Sequence, residues 1–348
     1  MAQQKALFVQ EPKGEWRVST KAIPKAKPGE LVVKVEATAL NPVDWKIHDY
    51  NFFVKEYPAI LGTDSAGTVE EVGEGVQGFS KGDRVLHQGY FVNESATFQQ
   101  YTVVPASIVA KIPSNVTTDQ AASIPLAIAT AAVGLYNDKS RKQGAKLYTA
   151  PWTDAGKNAY KGESIVIFGG SSSVGQFAIQ LAKLSGFSPI VATASLHNTD
   201  PLKSLGATHV VDRSASDVPA EIRKALGGST TALIYDTIAG KETQTQAWSL
   251  LAPGGTLIVT LQSQVNDTAE GETRSLIHVF GNFHVPDNKS LGEGLYSKLT
   301  TLLENGSIQA NPVEVLPNGL SGIPDGLERL KQNKVSGKKL IARPFETA

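Results

Sequence analysis

The stretch SIVIFGGSSSVGQFAIQLAK, residues 164–183, decides the fold of this chain. It begins with a short apolar run, Ile165–Phe168, whose length and β-branched side chains are typical of a buried parallel strand. A turn of glycine and serine follows, and from Val174 onward apolar residues recur at the spacing of a helix with one apolar face. Strand, glycine turn and helix in this order predict the phosphate site of a dinucleotide-binding unit.

The glycine turn carries the cofactor prediction. A tight turn needs the backbone freedom of glycine, and the free amides and positive dipole of the helix start favour a pyrophosphate. The fingerprint G-x-G-x-x-G is imperfect, because Ser172 replaces the middle glycine, and a structural turn without a ligand is the alternative. A second apolar run, Ile190–Ala194, follows at βαβ spacing and favours cofactor binding. The turn residues expected to contact the cofactor are Gly169, Gly170, Ser171, Ser172, Ser173, Val174 and Gly175.

Composition excludes several classes of function. The 33 basic and 33 acidic residues balance, so no basic surplus indicates nucleic acid or an anionic membrane as a partner. The chain has no cysteine, which excludes disulfides, iron–sulfur clusters and thiolate zinc sites. The first residues lack the long apolar core of a secretory signal, and the apolar run 121–136 is interrupted by Pro125. We therefore expect a cytoplasmic protein.

The order of local patterns predicts an α/β protein with two domains. Short β-type runs with Gly/Pro turns fill the first 120 or so residues and indicate a small barrel. A helix over 121–136 and a polar insertion over 137–162 come next. Five apolar runs that alternate with helical segments then predict a doubly wound parallel sheet. We expect a barrel domain over 1–125, a Rossmann domain over 126–285, and a segment, 286–348, that completes the sheet and returns to the first domain.

Three further motifs resemble the medium-chain dehydrogenase/reductases. ALNPVDWK, residues 39–46, is similar to the N-P-x-D segment of that family, and KGDRV, residues 81–85, to its G-D-R-V turn. LGTDSAGTVEEVGEGV, residues 61–76, resembles its signature G-x-[DE]-x-x-G-x-V-x-x-V-G. The resemblance covers nearly the whole chain. It implies a GroES-like β-barrel catalytic domain followed by a Rossmann domain that binds NADPH.

The chain departs from the zinc alcohol dehydrogenases of this family. Asn41 replaces their catalytic cysteine, and their G-H-E motif reads Gly62, Thr63 and Asp64, so the histidine ligand is missing too. We therefore expect no metal, and we expect Asp64 to be a hydrogen-bonding residue of a turn or of the barrel. The zinc-free quinone oxidoreductases and enoyl reductases remain. GGSSSVG, TASLHN and the polar insertion look most like fungal trans-acting enoyl reductases, which work with polyketide synthases and use NADPH.

The adenosine end of the cofactor is expected at residues 190–198. NAD enzymes place an acid there, and this segment has none. Ser195 and Asn198 instead offer polar groups that would accept a 2′-phosphate. The resemblance places Arg213 beside the adenine and the 2′-phosphate, and an exposed salt-bridging arginine is the alternative. These features predict NADPH.

The resemblance also implies the residues at the other end of the cofactor. It places Thr130 near the nicotinamide amide and Lys46, as a catalytic residue, against the ribose and phosphate, with a solvated lysine as the alternative. Residues 279–282 should flank the nicotinamide or form an edge strand. The remaining residues that the resemblance assigns to the cofactor are Val43, Asp44, Trp45, Ile238, Val279, Phe280, Gly281, Val335 and Ser336.

An aromatic group is expected on the substrate side, because an enone or quinone is flat and apolar. It comprises Tyr50, Phe52, Phe53 and Tyr57, and a plain core cluster is the alternative. Tyr50 is also the candidate catalytic proton donor, with water as the alternative.

The sequence thus predicts a zinc-independent, NADPH-dependent reductase of an enone or enoyl thioester. An NADPH:quinone oxidoreductase and a cofactor-binding protein without turnover are the alternatives. The small-molecule acceptor is either free or carried by a polyketide synthase, and the protein is a monomer or a homodimer without nucleic-acid or membrane partners.

Overall fold

A computed structural model describes residues 2–137, 149–266 and 269–348 of the chain. The chain divides into two compact units. The first unit comprises Met1–Leu126, Gly292–Gly306 and Ala310–Ala348, and the second comprises Ala127–Leu291 and Ser307–Gln309. Of the insertion predicted over 137–162, residues 138–148 lie outside the described residues, and residues 149–162 form turns.

The strands are numbered along the chain. They are β1 (Gln3–Val9), β2 (Trp16–Ala22), β3 (Glu30–Ala39), β4 (Ala59–Ile60), β5 (Asp64–Val72), β6 (Arg84–Gln88), β7 (Tyr101–Pro105), β8 (Val109–Lys111), β9 (Ile165–Phe168), β10 (Ile190–Ala194), β11 (His209–Asp212), β12 (Thr231–Asp236), β13 (Leu251–Val259), β14 (Ser275–His278), β15 (Val313–Val315) and β16 (Lys339–Ala342).

The helices are numbered in the same way. They are α1 (Pro42–Tyr50), α2 (Thr118–Ala122), α3 (Pro125–Tyr136), α4 (Ser173–Ser185), α5 (Thr199–Leu205), α6 (Val218–Ala225), α7 (Lys241–Leu250), α8 (Pro286–Glu304) and α9 (Ile323–Lys331). Within the described parts of the chain, no helix combines the length and the apolar character needed to cross a membrane.

The first unit is built on β3. This strand pairs antiparallel with β5, β7 and β16, and the seven-stranded sheet around it runs in the order β15-β16-β3-β5-β6-β8, with β7 on β3. A second sheet has the order β2-β1-β4. The side chains of Leu31, Val33 and Val35 on β3 are fully buried, as expected for a central strand. Only two residues separate the end of β3 from the start of helix α1, so the sheet positions the start of that helix.

The second unit contains a six-stranded sheet in which every pair is parallel. Its order is β11-β10-β9-β12-β13-β14, so the direction of winding reverses between β9 and β12. This is the strand order of a dinucleotide-binding sheet, in which ligands bind at the carboxyl ends of the strands near the reversal. The apolar run Ile165–Phe168 before the glycine turn is β9, and it is buried throughout. The predicted α/β class is confirmed.

One local prediction and one alternative were wrong. The helix expected over 121–136 is two helices, α2 and α3, because Pro125 lacks an amide hydrogen and disfavours helical angles in the residue before it. The edge strand is Ser275–His278, so that residues 279–282 follow the strand as a loop and do not form it.

Candidate functional site

The glycine turn after β9 leads directly into helix α4. Gly169 has a φ of 75°, and a Cβ there would lie 2.6 Å from side-chain atoms of Thr237 and Ile238. Ser172 is the N-cap of α4, where its Oγ accepts the amide of Gly175 at 2.9 Å. Its φ of −66° is open to any residue, so serine replaces the middle glycine of the fingerprint without backbone strain and gains a helix cap.

The turn and the helix start combine a close helix–strand approach with backbone amides that lack an intrahelical acceptor. A Cβ on Gly175 would lie 2.3 Å from the Gly169 carbonyl oxygen, so glycine is needed for this close approach of helix and strand. The amides of Ser173 and Val174 belong to the first turn of α4 and have no intrahelical acceptor. Together with the helix dipole they form a site that fits a pyrophosphate.

The ends of β10 and β11 bring the predicted adenosine-side residues together. The backbone amide of Arg213 donates to the carbonyl of Ala194 at 3.0 Å, next to Ser195. The Arg213 side chain is exposed and Ser195 is half-buried, whereas Asn198 is buried and its amide bonds to His197 at 3.1 Å. The structure thus brings the backbone of Arg213 next to Ser195 and leaves the Arg213 side chain exposed, whereas Asn198 is already engaged within the chain.

The loop predicted to flank the nicotinamide packs against Thr130. A Cβ on Gly281 would lie 2.3 Å from the Thr130 Oγ1, so the loop and helix α3 are in direct contact. The Thr130 carbonyl accepts the Tyr235 hydroxyl at 2.7 Å, and burial raises the pKa of that phenol, which keeps it a neutral donor. Val279 is buried and Phe280 is half-buried.

An asparagine network fixes the same loop. The Asn288 side chain donates to the carbonyls of Phe280 (2.8 Å) and Asn282 (2.9 Å), and it accepts from Asn137 at 2.6 Å. Asn137 and Asn288 were not among the predicted site residues, because asparagine in a polar segment usually marks a turn.

Helix α1 carries the predicted catalytic residues of the first unit. Its N-cap is Asn41, whose backbone amide donates to the Asp44 carboxylate at 2.8 Å in a capping box. Lys46 is half-buried, its Nζ lies 5.5 Å from the centroid of the Trp45 ring, and burial lowers its pKa. Asp44 is fully buried, so the structure places its side chain in the interior and not on the surface of α1.

The aromatic residues after α1 divide into two kinds. The side chains of Tyr50 and Phe53 are 66% and 48% exposed, and Phe53 stacks on Phe91 with 5.1 Å between ring centroids. Phe52 and Tyr57 instead pack against the core of the first unit, and the Tyr57 hydroxyl donates to the Asn51 side chain at 2.9 Å.

The remaining predicted residues lie at three different places. Val43 and Val335 pack against the core of the first unit. Ser336 is exposed, in the segment before β16. Ile238 is 48% exposed and covers Gly169 at the end of β12, which places it beside the predicted phosphate turn.

A buried ion pair contacts Asn41, which stands at a position where zinc enzymes of the resembled family have a metal ligand. The Lys339 ammonium lies 3.0 Å from the Asp64 carboxylate and 2.5 Å from the Asn41 Oδ1. Asn41 Nδ2 also donates to Asp64 at 2.7 Å, and the second Asp64 oxygen accepts the Leu126 amide at 2.6 Å. The side chains of Lys339 and Asp64 are 4% and 0% exposed. Asp64 is thus a hydrogen-bonding residue of the first unit, whereas Lys339 was not anticipated.

Two protein families match consecutive parts of the chain. The family described as "Alcohol dehydrogenase GroES-like domain" matches residues 27–114, and the family described as "Zinc-binding dehydrogenase" matches residues 173–268. The trans-enoyl reductase himH of Aspergillus japonicus is 36% identical over 322 residues, which cover 90% of this chain and 89% of that protein. The chain belongs to the medium-chain dehydrogenase/reductases.

Other medium-chain dehydrogenase/reductases are similar over the full length. A zinc-type alcohol dehydrogenase-like protein of Schizosaccharomyces pombe is 32% identical, with 97% of this chain and 99% of that protein covered. The crystal structure of CurK enoyl reductase shares the fold with a TM-score of 0.77 at 22% identity, over 98% of this chain and 99% of that one. These comparisons confirm the predicted family with its GroES-like and Rossmann domains. They also confirm an enoyl reductase-like oxidoreductase that uses a pyridine nucleotide.

The donors at the family's zinc position do not fit a zinc ion. Zinc prefers thiolate, imidazole and carboxylate ligands, but Asn41 offers an amide, Thr63 a hydroxyl, and the Asp64 carboxylate is already paired with an ammonium group. Among the described residues, no group of three or more His, Cys, Asp or Glu side chains could hold a metal ion.

Proposed function

We propose that this chain is an NADPH-dependent reductase of an activated carbon–carbon double bond, in an enone or an enoyl thioester, and that it works without zinc. The observation that carries the proposal is the Lys339–Asp64 ion pair at the family's zinc position, in a chain whose relatives include trans-enoyl reductases. Without a Lewis acid, no metal ion polarises the carbonyl oxygen of a simple ketone for reduction. A conjugated acceptor needs less help, because its own carbonyl spreads the developing charge as an enolate.

The preference for NADPH over NADH is supported by the ends of β10 and β11. Ser195 and Asn198 stand where NAD enzymes have an acid, so no carboxylate in residues 190–198 repels a 2′-phosphate. The exposed Arg213 is held next to this strand end by the bond between its backbone amide and Ala194. A charge-assisted bond from a guanidinium to a phosphate is among the strong hydrogen bonds.

The chain's own residues bind and orient the reactants. A nicotinamide cofactor, when bound, supplies the hydride. The amides of Ser173 and Val174 would hold the pyrophosphate, and Thr130 with the adjoining Gly281 would orient the nicotinamide ring. Lys46 would bind the ribose and phosphate. Protonation at the α-carbon uses water or the exposed Tyr50 hydroxyl.

Turnover with a panel of acceptors tests the proposal. Purified protein with NADPH should reduce an enone or an enoyl thioester, and deuteride from labelled NADPH should appear at the β-carbon of the product. Label on a carbonyl carbon with an alcohol as product, or turnover of quinones alone, would contradict double-bond reduction. Binding of NADPH without oxidation by any acceptor would show a cofactor-binding protein without turnover.

The same panel addresses how the acceptor is presented. We infer an acceptor that is a small molecule, either free or attached to a polyketide synthase. The same enoyl chain should be compared as a small thioester and as a thioester on the acyl-carrier domain of such a synthase. A much higher kcat/KM for the carrier-bound chain would support delivery by the synthase, and equal values would support a free acceptor.

A further inference from the structure

The buried cluster around Lys339 connects three separate parts of the first unit. Lys339 is the first residue of β16, Asn41 caps helix α1, and Asp64 is the first residue of β5. These residues are distant in sequence, since 298 positions separate Lys339 from Asn41. The ammonium therefore joins the C-terminal strand to the start of the helix that carries Lys46.

Hydrogen bonds hold both the side chain and the backbone amide of Asn41 in place. Asn41 accepts from Lys339 through Oδ1 and donates to Asp64 through Nδ2, so its amide plane is held at both ends. Its backbone amide is held by Asp44. Because a buried charge without a partner is costly, movement of Asn41 would leave the Lys339 ammonium with one partner fewer in the interior.

The cation also contacts a position at which the resembled zinc enzymes have a metal ligand. Positions 41 and 63 hold two of their ligands, and here Asn41 contacts an ammonium group and lies 3.5 Å from the Thr63 hydroxyl. A metal ion and an ammonium group both supply fixed positive charge, but the ammonium is covalently part of the chain and needs no loading. The two also differ in that an ammonium group cannot coordinate and polarise a substrate oxygen as a metal does.

We propose that Lys339 is the fixed internal cation that replaces the family's metal, and that it is a positioning residue which acts on Lys46 through Asn41 and helix α1. The assignment rests on the proposed reductase function only for the role of Lys46. It predicts that loosening the Lys339–Asn41 contact impairs turnover by the same route as loss of the Lys46 side chain.

The test is a double-mutant cycle between Asn41→Ser and Lys46→Ala. Serine still caps a helix and leaves both buried charges in place, but it cannot bridge Lys339 and Asp64 as the longer amide does. Asn41→Ser should lower kcat/KM for NADPH by about tenfold, the cost of one charge-assisted bond. The variant Asn41→Ser/Lys46→Ala should be no worse than Lys46→Ala alone, because both changes remove the same contribution. The proposal would be overturned if the loss of kcat/KM in the double variant equalled the product of the losses in the two single variants. It would also be overturned if neither single change had an effect.

A second measurement follows helix α1 without any turnover. Lys339→Met combined with Asp64→Asn removes both buried charges, and Lys338→Met is the matched control because Lys338 pairs with Glu314 at the surface. Hydrogen exchange of the amides in α1 should be faster in the double variant and unchanged in the control. Unchanged exchange in a folded double variant would overturn the positioning role, and Lys339→Met alone should be less stable than the double variant.

The two proposals can fail separately. If the unmodified protein reduces no enoyl acceptor, the proposed function fails, while faster exchange of α1 still supports the role of Lys339. If the unmodified protein is active and the cycle is additive, the reductase stands and the positioning role fails.

Discussion

Replacement of Asp44 by asparagine should remove a pH-dependent loss of stability from the first unit. The Asp44 carboxyl is fully buried, and burial raises its pKa from 3.8 to about 7. The hydrogen bond from the Asn41 amide opposes this rise, and the nearby Asp64 carboxylate adds to it. The native state therefore binds this proton more tightly than the unfolded state. The free energy of unfolding should fall as the pH rises from about 4 to about 7, and this group adds no further change above that range.

The size of the effect follows from the two pKa values. Each tenfold change in proton affinity corresponds to about 1.4 kcal/mol, so a rise from 3.8 to about 7 amounts to on the order of 4 kcal/mol. In the native state the Asp44 carboxyl is neutral below about pH 7, which leaves the Lys339–Asp64 pair balanced in the interior. Asparagine is neutral at every pH, and its Oδ1 can still accept the Asn41 amide.

Urea denaturation of both proteins from about pH 4 to pH 8 measures the effect. The free energy of unfolding of Asp44→Asn minus that of the unmodified protein should increase with pH. Asp49→Asn on the same helix is the control with opposite sign: although burial raises the pKa of Asp49, the bonds from Lys331 and His48 hold it below its ordinary value. The free energy of unfolding of Asp49→Asn minus that of the unmodified protein should decrease as the pH rises through the acid range. A difference for Asp44→Asn that does not depend on pH would refute the reasoning.

Three further predictions concern the cofactor and the glycine turn. Arg213→Ala should weaken NADPH binding about tenfold and leave NADH binding nearly unchanged. Fluorescence titration measures both affinities, and replacement of the exposed Arg17 by alanine is the control. Equal losses for both nucleotides would contradict a 2′-phosphate contact. Lys46→Ala should lose most reductase activity. Tyr50→Phe should stay active if water is the proton donor, and loss of turnover in this variant would identify Tyr50 as the donor. Ser172→Ala should lower the free energy of unfolding by about 1 kcal/mol and Ser172→Gly by only a few tenths, as expected for a helix cap.

Those features of the fold that depend on local spacing could be predicted from the sequence. The run Ile165–Phe168, the glycine turn and the apolar face of α4 lie within twenty residues, and the structure places strand, turn and helix accordingly. Ser172 is instructive, because the fingerprint alone counts it as a defect. A serine side chain at a helix start is a preferred cap, so local chemistry explains the substitution once the helix boundary is known.

The buried cluster could not be predicted in the same way. Lys339 precedes an apolar strand, and a lysine there indicates a solvated strand end, because lysine is almost never fully buried unless it is paired. Its partners lie 275 or more positions earlier, and no spacing rule connects residues that only the sheet order brings together. The missing cysteine and histidine ligands are the ground for expecting no metal, but they do not predict a buried lysine beside Asn41.

The loop 279–282, which we propose flanks the nicotinamide, shows the same limit within the second unit. The family resemblance indicates residues 279–282, yet the groups that fix this loop are Asn137 and Asn288, which are 151 positions apart and joined by a 2.6 Å bond. Gly281 adds a steric condition, since any side chain there would meet Thr130 within 2.3 Å. Two carbonyls of the loop are already bonded to Asn288, and one face of the loop is already packed on helix α3. The loop is therefore held by the chain's own side chains, which is the condition for orienting a ring without a further cost of ordering when the ring arrives.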